Sequence, residues 1–317
     1  MTSAVPGKRW LPVDDRPTIS AARPKTAAGR WRLPSAGRVL LYVVLIGGAL
    51  MAVAPFIYML LTSLKSYGSV ITNTLWPWPP FGREALQWQN YPLAIQAVGW
   101  DAQWGTWLLV RYLANSLIVG GATVVGVLTT SVLAAYALAR LNLPGSNAIF
   151  ILILAVIMVP EDLTLVPKVV MMFNLQWYNT YSALIVPFMV SVFGIFLLRQ
   201  SFLQFPRELE EAAVLDGMGH LRFLWSIVLP LSRPALITLA LMTFIDSWDS
   251  FKWPLLVTRD SSMRVLAVGL QQFMLGEGKA VEQLMAFATV VIAPIVVFYF
   301  LAQRYFREAI ITTGLKR

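Results

Sequence analysis

Residues 113–139 read LANSLIVGGATVVGVLTTSVLAAYALA, without one charge between Arg111-Tyr112 and Arg140. A helix rises about 1.5 Å per residue, so about 20 apolar residues cross the hydrocarbon of a bilayer. This stretch is long enough, and no ion in it would have to be stripped of water. Working outward, residues 39–64 and 284–302 are equally free of charge, and 181–198 form another apolar run. Residues 234–256 are acidic only at Asp246 and Asp249. Residues 148–160 are short for a span, and Glu161 and Asp162 interrupt them, so a broken or re-entrant segment continuing through 163–173 is expected. The pattern predicts an all-α polytopic membrane protein with about six transmembrane helices.

Composition supports lipid as the solvent. Of 317 residues, 57% are hydrophobic and 13% charged, against about 45–50% and about 25% in soluble domains. The surplus apolar surface exceeds what one core can bury. The absence of cysteine excludes disulfides and thiolate metal sites.

The net charge of +9 follows topology rather than nucleic acid. With the N-terminus placed in the cytoplasm, 17 of the 25 Lys and Arg fall on the inner side and eight on the outer, the bias expected of inner loops. Eight of the seventeen lie in residues 1–38, read as a basic, disordered arm. The transmembrane body is then 39–305, and 306–317 is a cytoplasmic tail. Ala52-Val53-Ala54 resembles a signal-peptidase site, but Pro55 would follow the cut and the apolar run continues, so an uncleaved anchor is the better reading.

Two outer loops are long. Residues 65–112 hold Trp76, Trp78, Trp88, Trp100, Trp104 and Trp107, which suit either an aromatic belt at the headgroups or a docking surface for an external partner. Residues 258–283 contain Gly276-Glu277-Gly278-Lys279, but Phe273 stands where a phosphate-binding loop needs its first glycine. ATP, if used, must be bound by another chain.

The inner stretch 199–233 carries the functional signal. Pro206 suits a helix start, and the acidic residues of Arg207-Glu208-Leu209-Glu210-Glu211 complement the positive end of a helix dipole. Ala212 and Ala213 favour helix and permit close approach, and Gly217 allows a left-handed turn. Leu221, Phe223, Leu224, Ile227 and Val228 form a second amphipathic run ending at Leu229-Pro230. Two short helices joined at a glycine are expected to make a rigid protruding knob.

Glu211-Ala212-Ala213, Gly217, and then Ile227-x-Leu229-Pro230 resemble the EAA signature of binding-protein-dependent importer permeases, with Asp216 before the glycine. Met218, where alanine is usual, is a departure that could alter local packing. Ser63-Leu64-Lys65, Asn115-Ser116-Leu117, Ala135-Tyr136-Ala137-x-Ala139-Arg140, 193–200 and Ser247-Trp248-Asp249 are similar to the maltose-type sugar permeases, from about Pro55 onward. The resemblance implies a carbohydrate or polyol importer with no cofactor in this chain. ATP and Mg would be bound by a partner ATPase dimer. A second, paralogous permease and an external solute-binding protein would complete the assembly, in a bacterial or archaeal cytoplasmic membrane, without covalent catalysis. It implies that Glu211 is a charged ATPase contact, that Ala212 and Ala213 pack closely, that Gly217 makes the bend, and that Leu229 and Pro230 fix the exit from the knob.

Glu161, Asp162, Asp246, Trp248 and Asp249 are candidates for a substrate pathway, because polar groups at membrane depth are tolerated where they line a cavity. Glu161 and Asp162 also fit the plain end of a helix, and Trp248 fits packing. His220, the only histidine, is expected to face solvent. A permease for another solute such as a glycerol phosphate remains open. A self-sufficient secondary transporter would need an ion-coupling site near the midplane, and the spans hold few ionisable residues.

Overall fold

The computed structural model of the chain describes residues 36–71, 86–141, 143–275 and 281–314. Most of the basic arm, Trp76, Trp78 and Gly276-Glu277-Gly278-Lys279 lie outside the described residues.

Helices dominate because continuous apolar runs of this length satisfy their backbone donors and acceptors within the segment, as lipid requires. Helix α1, Ala36–Ser63, is followed by α2, Tyr67–Ile71, and α3, Asn90–Val98. A two-stranded antiparallel hairpin then pairs β1, Trp100–Asp101, with β2, Thr106–Trp107. The long α4, Leu108–Arg140, leads into α5, Ser146–Ala155, and α6, Glu161–Asn174. After these come α7, Tyr181–Ile185, α8, Val192–Leu203, α9, Arg207–Leu215, α10, His220–Phe223, and α11, Leu229–Leu231. The chain continues with α12, Arg233–Asp249, α13, Lys252–Val257, α14, Leu266–Leu275, and α15, Val281–Gly314. Contacts divide the chain at Val53. In the part up to that residue, the large apolar side chains of α1 from Val39 are exposed, as a surface solvated by lipid requires.

Among the described residues, Gly37–Ser63 and Leu108–Arg140 are each long and apolar enough to cross a membrane. Three further pairs meet the same criterion while sharply bent: Ser146–Met158 with Glu161–Asn174 by 92°, Tyr181–Phe188 with Val192–Leu203 by 43°, and His220–Leu231 with Arg233–Asp249 by 80°. That gives two to five spans where the sequence predicted six. The expected span at 284–302 falls in α15, whose apolar part Val281–Val297 is shorter. The break after residue 158 has a local cause: Pro160 lacks a donor, and Glu161 and Asp162 occupy the first turn of α6, where they complement its dipole.

Helix α4 is the axis of residues 54–314, packing on α8 along one side and α12 along another. Glycine brings the backbones together. A Cβ on Gly194 of α8 would sit 2.5 Å from Ser131 Oγ, and one on Gly126 would sit 2.6 Å from the Met189 side chain. Close approach through small residues replaces the hydrophobic drive that lipid cannot supply.

The N-terminal end of α4 gathers both of the loops read from the sequence as outer. The buried Arg111 pairs with Asp101 of the hairpin at 3.3 Å, donates from Nε to Ser262 O at 3.1 Å, and lies 4.2 Å from the Trp104 ring. Asn115 Nδ2 donates to Ser262 O and Arg264 O, both at 2.8 Å, and Tyr181 Oη donates to Asn115 Oδ1 at 2.6 Å. Ser116 Oγ accepts from Leu266 N at 2.8 Å. The tryptophans described in the first loop divide: Trp88 and Trp100 are exposed, whereas Trp107 meets Trp100 edge-on at 5.1 Å.

Candidate functional site

The segment read from the sequence as inner, 199–233, is built from the end of α8. Pro206 precedes α9, whose first turn carries Glu208 and Glu210. The helix ends in two interlocked bonds, Met218 N to Ala213 O at 2.8 Å and Gly217 N to Val214 O at 2.9 Å, with Gly217 at φ +74°. This is a Schellman termination, which needs a left-handed residue just past the helix, and glycine takes that conformation without a Cβ penalty. The spacing from Ala213 to Gly217 is therefore the spacing of the helix stop. Met218 packs against the cluster that holds Ala213, the apolar contact that accompanies such a stop.

Beyond the turn, α10 runs into one π-helical stretch, Leu224–Val228, and then α11. Ala213, Phe223, Leu224 and Val228 are buried against Val127, Val132, Ala135 and Tyr136 of α4, Leu198 and Phe202 of α8, and Leu239 of α12. Ile227 and Leu229 pack partly against the same cluster, and Pro230 is exposed. The segment is thus fastened to the bundle on one side. On the other side Glu211, Ala212, Val214, Asp216 and Leu215, the last 88% exposed, stand free. Ala213, read from the sequence beside Ala212 as a close contact, is 4% exposed and packs within its own chain. His220 is exposed, and its carbonyl accepts from Tyr136 Oη at 3.2 Å.

Arg140, which closes the Ala135–Arg140 stretch noted in the sequence, sits at the root of the segment. Its Nη2 donates to Phe202 O at 2.6 Å and Phe205 O at 2.7 Å, and its Nη1 lies 3.5 Å from Glu210 Oε2. A concavity of about 480 Å³ beside α9 is lined by Arg140, Arg207, Glu210, Glu211, Val214 and Leu215, among others. A single basic residue closing an apolar run was the available signal for Arg140. Nothing in the sequence pointed to its three partners.

The pathway candidates divide. Asp162 is exposed and reaches Lys252 Nζ at 3.2 Å, joining the start of α6 to the start of α13. Asp246 and Asp249 are exposed one turn apart on α12, and Glu161 is exposed beside Asp162. Trp248 is 3% exposed, packed with Tyr112, Phe244, Leu266 and Phe287, so its ring offers no open platform. Because both members of the Lys252–Asp162 pair are more than two-thirds exposed, Lys252→Ala is expected to change stability by less than ~1 kcal/mol. A thermal shift in detergent checks this.

Residues 128–312 match the family described as binding-protein-dependent transport system inner membrane component. The chain belongs to this family. It is a permease of a transport system rather than an enzyme, and its apolar helices make it a multi-pass membrane protein. Relatives include an sn-glycerol-3-phosphate transport system permease protein of Yersinia pestis, 37% identical over 63% of this chain and 72% of its own length. Another is an arabinooligosaccharides transport system permease protein of Halalkalibacterium halodurans, 32% identical over 84% and 92%. The fold is that of a chain in the crystal structure of a bacterial ABC transporter that imports the acidic polysaccharide alginate. That likeness has a TM-score of 0.73 at 24% identity, covering 87% of this chain and 99% of that one.

Proposed function

We propose that this permease is one membrane subunit of an ATP-driven importer for a carbohydrate or polyol, and that α9 with the turn at Gly217 is its contact with a separate ATPase dimer. The observation that carries the reading is a short helix with one face locked into the bundle and the other bare. Glu211, Ala212, Val214 and Leu215 offer a charge and an apolar ridge to an external socket. Glu211 is the charged contact to a basic residue of the ATPase, Ala212 permits close approach, and Gly217, Leu229 and Pro230 hold the ends of the segment. ATP and Mg belong to the ATPase. A paralogous permease completes the pathway, and an external solute-binding protein delivers the solute. Both termini lie in the cytoplasm of a bacterial or archaeal cell, with the chain in the cytoplasmic membrane.

The pathway on this reading includes Glu161, Asp162, Asp246 and Asp249, with Lys252 as the counter-charge of Asp162. Its negative excess favours an uncharged polyol over a phosphate ester, since like charges across a low-dielectric wall repel. The glycerol-phosphate reading draws instead on the Yersinia relative.

Purification of the tagged chain in mild detergent beside Glu211→Ala tests the coupling assignment. The wild type is expected to bring down an ATPase and a second permease, with the ATPase weakened in the variant. A chain that comes out alone and transports without ATP would end the importer reading.

A further inference from the structure

The inner end of the bundle holds a charged side chain that joins three elements. Arg140 is the last residue of α4, and its side chain is only 4% exposed. Two of its bonds go to Phe202 O and Phe205 O, at and just beyond the end of α8. Helix ends leave carbonyls without partners inside the helix, and a cation there satisfies them and complements the negative end of the dipole. The third contact is to Glu210 of α9, whose side chain is 22% exposed. Arg140 Nε is buried without a hydrogen-bond partner, so the terminal nitrogens alone make these three contacts.

The geometry has a mechanical consequence. Glu210 and Glu211 are adjacent on α9, and both line the concavity at its flank. Glu211 points to the bare side, and Glu210 reaches inward to Arg140. The planar, forked guanidinium resists shear better than a point-like ammonium, because several donors fix its orientation at once. A displacement of α9 therefore has a polar route into α4 and α8, alongside the apolar contact of Ala213 with the bundle. Such coupling needs a physical connection between two arrangements of the parts.

We propose that Arg140 is the positioning residue that makes α9 and the inner half of α4 move as one body when the ATPase closes, with Glu210 as its partner. The inference rests on the reading of α9 as the ATPase contact. Without the Arg140–Glu210 link, the ATPase would still bind α9, but the stroke would be absorbed between α9 and α4.

The natural absence of cysteine makes a spin-label test clean. Leu133→Cys on α4 and Glu208→Cys on α9 are both exposed positions outside the concavity. The labelled chain is purified with its ATPase and measured by pulsed dipolar spectroscopy, without nucleotide and after trapping with Mg-ATP and vanadate. In the wild-type background the distance between labels is expected to stay narrow and unshifted on trapping. With Glu210→Gln, a near-isosteric change that spares the carbonyl contacts, the distance is expected to broaden and to shift on trapping. Arg140→Gln is expected to give the larger shift, and the double variant no more than Arg140→Gln alone. An unshifted, narrow distance in Glu210→Gln would overturn the proposal even if Arg140→Gln failed to assemble, as would a shift in the wild type. Failure of the wild type to retain any ATPase would instead strike the reading of α9 itself.

Discussion

Asp101→Ala is expected to destabilise the protein by about 3 kcal/mol, the cost of breaking one side of a buried ion pair and leaving the other charge in place. Asp101 and Arg111 have side-chain exposures of only 6% and 9%. Asp101 does more than neutralise: its Oδ1 accepts from Gln103 N at 2.8 Å and shapes the hairpin. Arg111 in turn holds Ser262 O, so losing the pair loosens both outer loops where they meet α4. Thermal unfolding in detergent should report the loss. Trypsin should cut sooner at Arg259 and Arg264, the two arginines that flank Ser262 in the second loop. The double variant Asp101→Ala with Arg111→Met separates charge from packing, because it leaves no ion buried. It is expected to recover part of the stability. A double variant as unstable as Asp101→Ala alone would mean that hairpin shape, not the stranded guanidinium, sets the cost.

The same pair shows where sequence reading ran out. The uncharged run 113–139 was enough to place a long helix, because hydrophobicity over that length has one common solution in lipid. The actual helix extends outward to Leu108 and takes Arg111 inside the protein. A charge at the edge of an apolar run reads as the end of a span unless its partner is known. Asp101 lies on a hairpin whose two-residue strands are too short to show a period. The stop of α9 was legible for the opposite reason. Proline, first-turn carboxylates, alanines and a glycine four residues after Ala213 are all local chemistry, and a Schellman turn depends on nothing else. Arg140 had the reverse character: its partners Phe202 O and Phe205 O are backbone atoms more than sixty residues away, and carbonyls leave no trace in composition. Trp248 was ambiguous because an aromatic ring serves equally as sugar platform and as core. Only its burial beside Phe287 decides for the core. The break after residue 158 was visible in Pro160-Glu161-Asp162, but its angle of 92° is set by packing and could not be read.

Gly194→Val should cost about 3 kcal/mol, at the upper end of what overpacking a close-fitted interior exacts. The reason lies in how α8 meets α4. A Cβ at Gly194 would stand 2.5 Å from Ser131 Oγ and 3.1 Å from both methyl carbons of Leu239, so it meets α4 and α12 together. Leu239 can turn its side chain, but it is 1% exposed and has little free volume to turn into. Ser131 is fixed close to the α4 backbone and can yield only by moving the helix. The cost should therefore appear as a shift of α8 relative to α4, not as a local rearrangement. That shift would reach the inner segment, since α8 carries Leu198 and Phe202 into the cluster that seats Ala213. A combined Gly194→Val and Ser131→Gly variant tests the geometry. Ser131 Oγ is buried without a hydrogen-bond partner, so removing it forfeits no bond and clears the nearer of the two obstacles. The combined variant is expected to regain part of the lost thermal stability while Leu239 keeps the rest from returning. If Gly194→Val melts like the wild type, the two helices do not approach as closely as their glycine and serine require. The inner segment would then be seated by its own apolar cluster rather than by a tight α4–α8 joint.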